Sequence, residues 1–508
     1  MNHDAAMAVV DYSSGIGEIL WAAHSERYSK IKNDHYLNQK IVDEANTFGP
    51  FNKVVYYEKP LLKKTRQLYA GQWGTSLSYT EMPQWHLDNF GIKIDEYVKH
   101  HDSHAAAGYF TSPFKDTGAT ILTVDAIGEW ETVSISTADK TWVERKETLN
   151  YPHSIGILYS AFTHRCGLKP AEEEYILMGM AAYGTPKYKQ KIYDDFVHQT
   201  PFKLKKNLHR GLSDWQPNAD VMDIAASIQA VTEECLAELW HRASKYGSRN
   251  LVYAGGVALN CAANRVLANM GLFDNIWIIP NPGDAGSSLG CIAAHHKRHL
   301  KWEHPFLGHN IDGEYPVDAL IKELKENKMV GVANGKAEFG PRALGSRSII
   351  ADPRSKIMQK QLNIKVKYRE SFRPFAPSVL REHVNDWFDH DADSPYMLIV
   401  ADVQKDKRLA MTPDEEKLFG IDKLNVPRSS VPAITHIDYS ARIQTVHADT
   451  NPKYHALISK FKEKTGCPIV VNTSFNVRGE PIVCSPIDAF KCFMGTELDI
   501  LAIGNYLL

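Results

Sequence analysis

The chain has 508 residues, 44% hydrophobic, 23% charged and 10% aromatic, the profile of a folded globular protein with room for two large or three ordinary domains. Its 58 Lys and Arg nearly balance 60 Asp and Glu, for a net charge of −2. That balance excludes a strongly basic nucleic-acid coat and an acidic disordered tail, but not a local basic groove. Seven cysteines, none spaced as CxxC, support neither a disulfide framework nor a zinc ribbon and predict a reducing, cytoplasmic setting. No apolar run is long enough to span a membrane, and the start MNHDAAMAVVD lacks the basic and apolar regions of a signal peptide.

Along the chain, β-like and helix-like segments alternate, which predicts α/β architecture. Residues 7–10 form a predicted strand, and residues 119–125 a buried strand ending in Asp125. The Lys-rich stretch 187–210 reads as an exposed excursion. Apolar residues at helical spacing, among them Ile224, Ile228, Val231, Leu236 and Leu239, predict a helix over 223–248. Short strands follow at 250–254, entering Gly255-Gly256, and at 276–280, entering Asn281-Pro282-Gly283-Asp284. Strand ends that terminate in Gly and Asp are where α/β folds place ligand chemistry. Residues 301–316 read as a connector, 317–327 as a helix, and 329–333, 432–436 and 468–471 as strands.

In the first half the sharpest local signal is His100-His101-Asp102-Ser103-His104. Positions i and i+4 share a helix face, so His100 and His104 are placed to meet one metal ion, with Asp125 and Asp284 as candidate carboxylates. Two solvated histidines, and a helix cap at Asp284, are the plain alternatives. Gly255-Gly256-Val257-Ala258-Leu259-Asn260 suits close approach of a nucleotide or a tight structural turn. His3, beside Asp4, is a general base, a phosphate-loop element or part of a frayed terminus.

In the second half cations recur in four segments, around Lys336/Arg342/Arg347, Lys367/Arg369/Arg373, Arg442 and Arg478. If the fold gathers them, an anion between them relieves their repulsion. Structural pairs with Glu338, Glu370 and Glu480 are the alternative.

The motifs HHDSHAAAGYF, YAGGVALNCAANR, EFGPRALGSRSIIADPR, KYRESFRPFAPSVL and VVNTSFNVRGEPIVCSP, in this order, resemble the O-carbamoyltransferase family of nodulation and antibiotic-tailoring enzymes (NodU/CmcH type). The resemblance implies an ASKHA-like (actin-like ATPase) domain over 1–310 that transfers the carbamoyl group. It implies a YrdC-like α/β domain over 311–508 that makes carbamoyl-adenylate. Carbamoyl phosphate and ATP are the implied substrates, and the acceptor is a hydroxyl. Matching motifs imply metal ligands His100, His104 and Asp284. Asp125 and Gly128 fall in a strand-end loop, and Gly255, Gly256 and Asn260 in a nucleotide-facing turn. His3 is the implied residue for acceptor deprotonation. Arg342, Lys367, Arg373, Arg442 and Ser474 match the adenylate site. The donor set suits Fe(II) and tolerates Mn(II) or Mg(II), and the resemblance favours iron.

The sequence departs from the family in placing Ile176 where Lys is usual, Ala182 where Pro is usual, and Asp438-Tyr439-Ser440 for Asp-Gly-Thr. Met1 directly precedes Asn2, where relatives have a hydrophobic strand, so either the start is late or that strand is trimmed.

Acceptor choice belongs to insertions rather than to shared motifs. One, over 60–85, carries Lys63, Lys64 and Arg66 with Tyr69, Trp73, Tyr79 and Trp85. Another, over 187–215, carries Lys203, Lys205, Lys206, His209 and Arg210. Cations interleaved with aromatics suit a hydroxymethylated pyrimidine, as nucleotide or in DNA; solvated lysines over buried aromatics are the alternative. A tRNA threonylcarbamoyl-type transferase and a non-catalytic nucleotide-binding scaffold are the competing functions. The sequence names neither the metal nor the oligomeric state.

Overall fold

A computed structural model describes residues 4–140, 142–314, 316–369, 373–418, 422–423 and 426–508. The chain divides into two compact units, Met1–Ser29 with Asn33–Trp302, and Lys30–Lys32 with Glu303–Leu508. Both are mixed α/β.

In the first unit, β1 (Ala6–Asp11) and β2 (Gly17–His24) pair antiparallel in a three-stranded sheet. A five-stranded sheet is built from β3 (Ala119–Val124), β4 (Glu131–Asp139), β5 (Trp142–Asn150), β6 (Asn250–Ala254) and β7 (Asn275–Trp277). Its order is β7-β6-β3-β4-β5, with β6 parallel to both β3 and β7. Parallel pairing carries the C-terminal ends of β3 and β6 to the same edge, with Ala254 opposite Thr123.

Helix α1 (His100–Thr111) is buried on all sides except at Asp102. Its Ala105-Ala106-Ala107-Gly108 run explains how it fits, because a helix without bulky side chains accepts neighbours all round. A Cβ on Gly108 would lie 2.5 Å from Val252 of β6. Helix α2 (Val221–Ser244) carries the expected apolar stripe; α3 (Cys261–Asn269) follows the glycine turn, and α4 (Ser287–His296) packs on α1. The stretch 187–210 is more ordered than its lysines suggest. It contains the helix Lys189–Phe196 and buries Ile192, Tyr193, Phe196, Phe202 and Leu204, whose large side chains anchor it.

The second unit is centred on an eight-stranded sheet. Residues 306–311, within the expected connector, instead form β8 (Phe306–Ile311), paired antiparallel with β10 (Gly335–Glu338). Helix α5 (Val317–Lys325) and β9 (Val330–Ala333) stand close to their expected positions. The sheet continues with β11 (Arg347–Ala351), β12 (Ala376–Leu380), β13 (Ile399–Asp402), β14 (Ser440–Val446), β15 (Ile469–Ser474), β16 (Ile500–Ile503) and β17 (Tyr506–Leu507). Its order is β13-β14-β12-β15-β11-β9-β16-β17. The expected strand at 432–436 is a 3-10 turn at Pro432–Ile434, because Pro432 starts a helical turn and has no N–H for a ladder. The core joins Val330, Ile349, Val379, Ile443, Val470 and Leu501 from successive strands.

A candidate metal centre and a cationic sheet edge

The histidines of α1 converge with two strand-end carboxylates. His100 Nε2 and His104 Nε2 lie 3.0 Å apart. Asp284 Oδ1 is 3.3 Å from each, and Asp125 Oδ2 is 3.3 Å from His100 Nε2. One ligand atom from each of the four residues lies within 4.8 Å of the others. Two imidazole nitrogens about 2.1 Å from one ion, at roughly a right angle, stand about 3 Å apart, so the spacing fits a shared cation. The donor set, two nitrogens and two carboxylate oxygens, suits Fe(II), Mn(II) or Zn(II). Asp125, offered by the sequence as a candidate carboxylate, thus lies with the three residues that the resemblance implies as ligands. Its other oxygen, Oδ1, accepts from Gly256 N–H at 3.0 Å, linking that group to the glycine turn.

Charge in this pocket is tightly coupled. Burial opposes a charge on His100, but Asp284, Asp125 and Glu58 hold its proton and lift its pKa well above the ordinary histidine value. Burial likewise opposes ionisation of Asp125, yet its bond to His100 keeps it well below the usual carboxylate range. A cation between these atoms takes over the role of that proton. His101 faces away, with Nδ1 3.0 Å from Ser134 Oγ, and burial followed by the charge of His100 depresses its pKa.

Local backbone chemistry positions each ligand. Gly255 has φ +91°, and a Cβ there would sit 2.2 Å from Val124 O, so only glycine lets β6 turn this close to β3. Gly128 packs on the histidines themselves: its Cβ would lie 3.1 Å from both His100 Cβ and His101 Cδ2. Asp284 starts a 3-10 turn leading into α4, whose Ser287 Oγ lies 3.3 Å from His104 Nδ1. Asn260 caps α3, accepting from Ala263 N–H at 3.1 Å, and its side chain is held by Gln229. His3 lies outside the described residues.

In the second unit, register gathers the predicted residues. Ser378, Gln444 and Asn472 form a buried hydrogen-bonded set across β12, β14 and β15. Arg442 and Ser474 stand two residues from Gln444 and Asn472, hence on the same face of the sheet. The loop carrying Arg342 is tied over that face. Ala343 O accepts from Asn472, Leu344 O accepts from Gln444, and Glu338 Oε1 accepts from the N–H groups of Leu344, Ser346 and Arg347. Arg373 is buried just ahead of β12. Arg442 Nε is buried without a hydrogen bond among the described residues.

Two cations have inward tasks. Arg347 is fully buried and donates to the carbonyls of Cys484, Asn334, Gly335, Ser346 and His309. Lys367, at the end of a π-helical turn over Leu362–Val366, donates to Ser474 O, to Ser474 Oγ at 3.3 Å, and to Asn476 O and Oδ1 at 2.9 Å. Burial pushes its pKa well down, against these oxygens, which favour the charged form. It braces the Ser474 turn from behind. The sequence carries no spacing signal for Glu58, Glu129 or the Ser378–Gln444–Asn472 set, isolated polar residues in apolar surroundings, whereas Glu338, expected as a structural partner of the cations, binds the backbone N–H groups of the Arg342 loop instead.

The cations of the 60–85 insertion also face inward. Lys63 and Arg66 are 8% and 2% exposed, and Lys64 donates to Ser76 O and Ser78 O. Its aromatics face outward, with Tyr69 70% and Trp73 63% exposed. In the 187–215 insertion the arrangement is reversed. Phe196 and Phe202 are buried, Lys206 caps the Phe196 ring at 4.4 Å and Lys203 is exposed.

These features define a two-unit α/β protein with a candidate metal centre in one unit and cations on and beside a central sheet in the other. Comparison with known proteins agrees with that division. The carbamoyltransferase N-terminus family model matches residues 93–294, and the carbamoyltransferase C-terminus model matches residues 321–508. An uncharacterised Synechocystis protein is 40% identical over 100% of this chain and 95% of its own. The nodulation protein NolNO of Sinorhizobium fredii is 30% identical over 100% of this chain and 79% of its own. NolO of Bradyrhizobium diazoefficiens is 32% identical over 81% and 78% respectively. The chain belongs to the carbamoyltransferase family and is a transferase. Among the described residues, no helix is long and apolar enough to cross a membrane.

Proposed function

We propose that the protein is an ATP-dependent O-carbamoyltransferase working in two stages. In the first, water cleaves carbamoyl phosphate to carbamate and phosphate, and a carbamate oxygen attacks the α-phosphorus of ATP; carbamoyl-adenylate forms and pyrophosphate leaves. In the second, an acceptor hydroxyl attacks the carbamoyl carbon, giving an O-carbamate and AMP. The observation that carries this reading is the clustering of His100, His104, Asp125 and Asp284 beside the Gly255-Gly256 turn, in a chain matched by both carbamoyltransferase models.

The first stage is assigned to the second unit, the YrdC-like part of this reading. Arg342, Arg373 and Arg442 offset the charge of two phosphate-bearing substrates, and Lys367 holds Ser474 toward them. The second stage is assigned to the first unit, the ASKHA-like part. The Gly255 and Gly256 backbone admits the adenylate, Asn260 fixes the start of α3, and Gly128 lets the Asp125 loop lie against His100. His100, His104, Asp125 and Asp284 would hold a divalent ion, iron by resemblance, which would supply Lewis acidity toward the carbamoyl group. His3 is assigned the acceptor proton. Shielding from water matters because released carbamoyl-adenylate hydrolyses.

The acceptor is a hydroxyl-bearing small molecule. Burial of Lys63 and Arg66 removes the phosphate-gripping surface that favoured DNA at the 60–85 insertion. Pyrophosphate release from ATP and carbamoyl phosphate tests the first stage, and its absence in the wild type overturns the adenylate. Mass spectrometry over a panel of hydroxylated acceptors, with hydroxymethylcytosine DNA as one arm, tests the second.

A further inference from the structure

The mechanism leaves one buried charged group beside the metal centre unexplained. Glu58 and Lys63 form an ion pair at 2.6 Å, with side chains 5% and 10% exposed. A buried pair costs desolvation and is weak evidence for stability by itself, so its position calls for a reason. Glu58 Oε2 lies 3.8 Å from His100 Nδ1, the ring nitrogen opposite the candidate ligand atom. That Nδ1 is buried and has no hydrogen bond among the described residues. A second carboxylate, Glu129, holds the same residue by its backbone, accepting from His100 N–H at 3.0 Å and from Lys59 N–H at 2.8 Å. Arg66, 2% exposed on the same helix as Lys63, lies within electrostatic reach of both Glu58 and Glu129.

We infer that Glu58 is the positioning carboxylate of the metal centre: it faces Nδ1 of His100 as the acceptor for Nδ1–H, keeping the proton on that nitrogen and so fixing the tautomer that turns Nε2 toward the ion. Lys63 and Arg66 supply its counter-charge. The helix Pro60–Tyr69 is then the outer support of the metal site, and the cations of this insertion are oriented by that task rather than by an acceptor. Metal-bound histidines ordinarily donate their second N–H to a carboxylate or carbonyl, and loss of such a partner weakens metal binding by about 10–100-fold. His104 has its own partner in Ser287 Oγ, so Glu58 completes a matched pair.

The inference rests on the metal reading of the proposed function, and one titration separates the two. Apo protein is titrated with Fe(II) under anaerobic conditions, and with Co(II) followed by its visible spectrum. Wild type is expected to bind one equivalent and His104→Ala none. Glu58→Gln is expected to keep the stoichiometry, bind about 10–100-fold more weakly and show a shifted Co(II) spectrum. The double variant Glu58→Gln/Lys63→Met, which leaves no uncompensated buried charge, is expected to do the same while melting near the wild-type temperature. Lys64→Ala, which loosens the same helix without touching Glu58, is expected to bind as wild type does. Wild-type affinity and spectrum in Glu58→Gln, or equal weakening in Lys64→Ala, overturns the role of Glu58 and leaves the metal centre standing. Equal binding by wild type and His104→Ala overturns the metal centre itself.

Discussion

Arg347 and Arg442 show how little a residue type says about its task. Both stand on strands of the same sheet, and the sequence offers both as cations in a polar, Gly-punctuated half. Arg347 donates to backbone carbonyls from five residues around it, so Arg347→Met strands buried acceptors and is expected to cost about 3 kcal/mol or more in a urea melt. Arg442 keeps a buried Nε without a hydrogen bond among the described residues, so its removal strands no protein acceptor at that atom. Arg442→Ala is therefore expected to change stability by less than about 1 kcal/mol and to abolish pyrophosphate release; a large loss of stability instead marks it as structural. Ile176 is read on the same terms. Where the resemblance implies Lys, it is 4% exposed on the helix Glu174–Met180 and packs as a core residue.

At the scale of elements, the His/Asp cluster depends on how closely two helices approach. A Cβ on Gly290 of α4 would lie 1.9 Å from Ser103 O of α1. The glycine thus sets the separation between the helix bearing His100 and His104 and the helix that follows Asp284. Gly290→Ala retains every ligand yet forces the helices apart, with an expected cost of about 1–3 kcal/mol and a loss of metal affinity read in the same Fe(II) titration. This dependence also explains what the sequence could disclose. The i, i+4 histidines and the strand-end aspartates were legible because helix and strand periodicity place them directly. Asp125 was legible as a candidate carboxylate, but its link to the glycine turn depends on β3 lying beside β6, a pairing between segments far apart in sequence. Glu58 was illegible for the same reason, since Val-Val-Tyr-Tyr-Glu-Lys-Pro has no pattern that points to His100. The strand at Phe306–Ile311 was missed because its partner at Gly335–Glu338, rather than its own alternation, makes it a strand. At 432–436 the error ran the other way: a strand was expected, but Pro432, without an N–H for a ladder, makes the segment a 3-10 turn.

At the scale of the whole molecule, the two compact units and the two family models coincide in outline, with the division at Trp302/Glu303 falling between the matched spans. Each unit holds its own cluster: the His/Asp group has no member beyond residue 284, and the cationic edge none before Arg342. A near-neutral chain thus carries a His/Asp cluster in one unit and a group of Arg and Lys residues in the other. If each stage of the proposed reaction belongs to one unit, the stages are separable in the intact chain. His104→Ala, or a chelator added to wild type, is expected to leave pyrophosphate release within about twofold and to reduce carbamoyl transfer at least 100-fold, because the His/Asp cluster acts only after the adenylate exists. Arg442→Ala is expected to stop both, since transfer requires the intermediate. Adding synthetic carbamoyl-adenylate to Arg442→Ala is then expected to restore transfer, and to fail in His104→Ala. Equal loss of both half-reactions in His104→Ala would show that the metal centre serves adenylation as well, and the assignment of one stage to each unit falls.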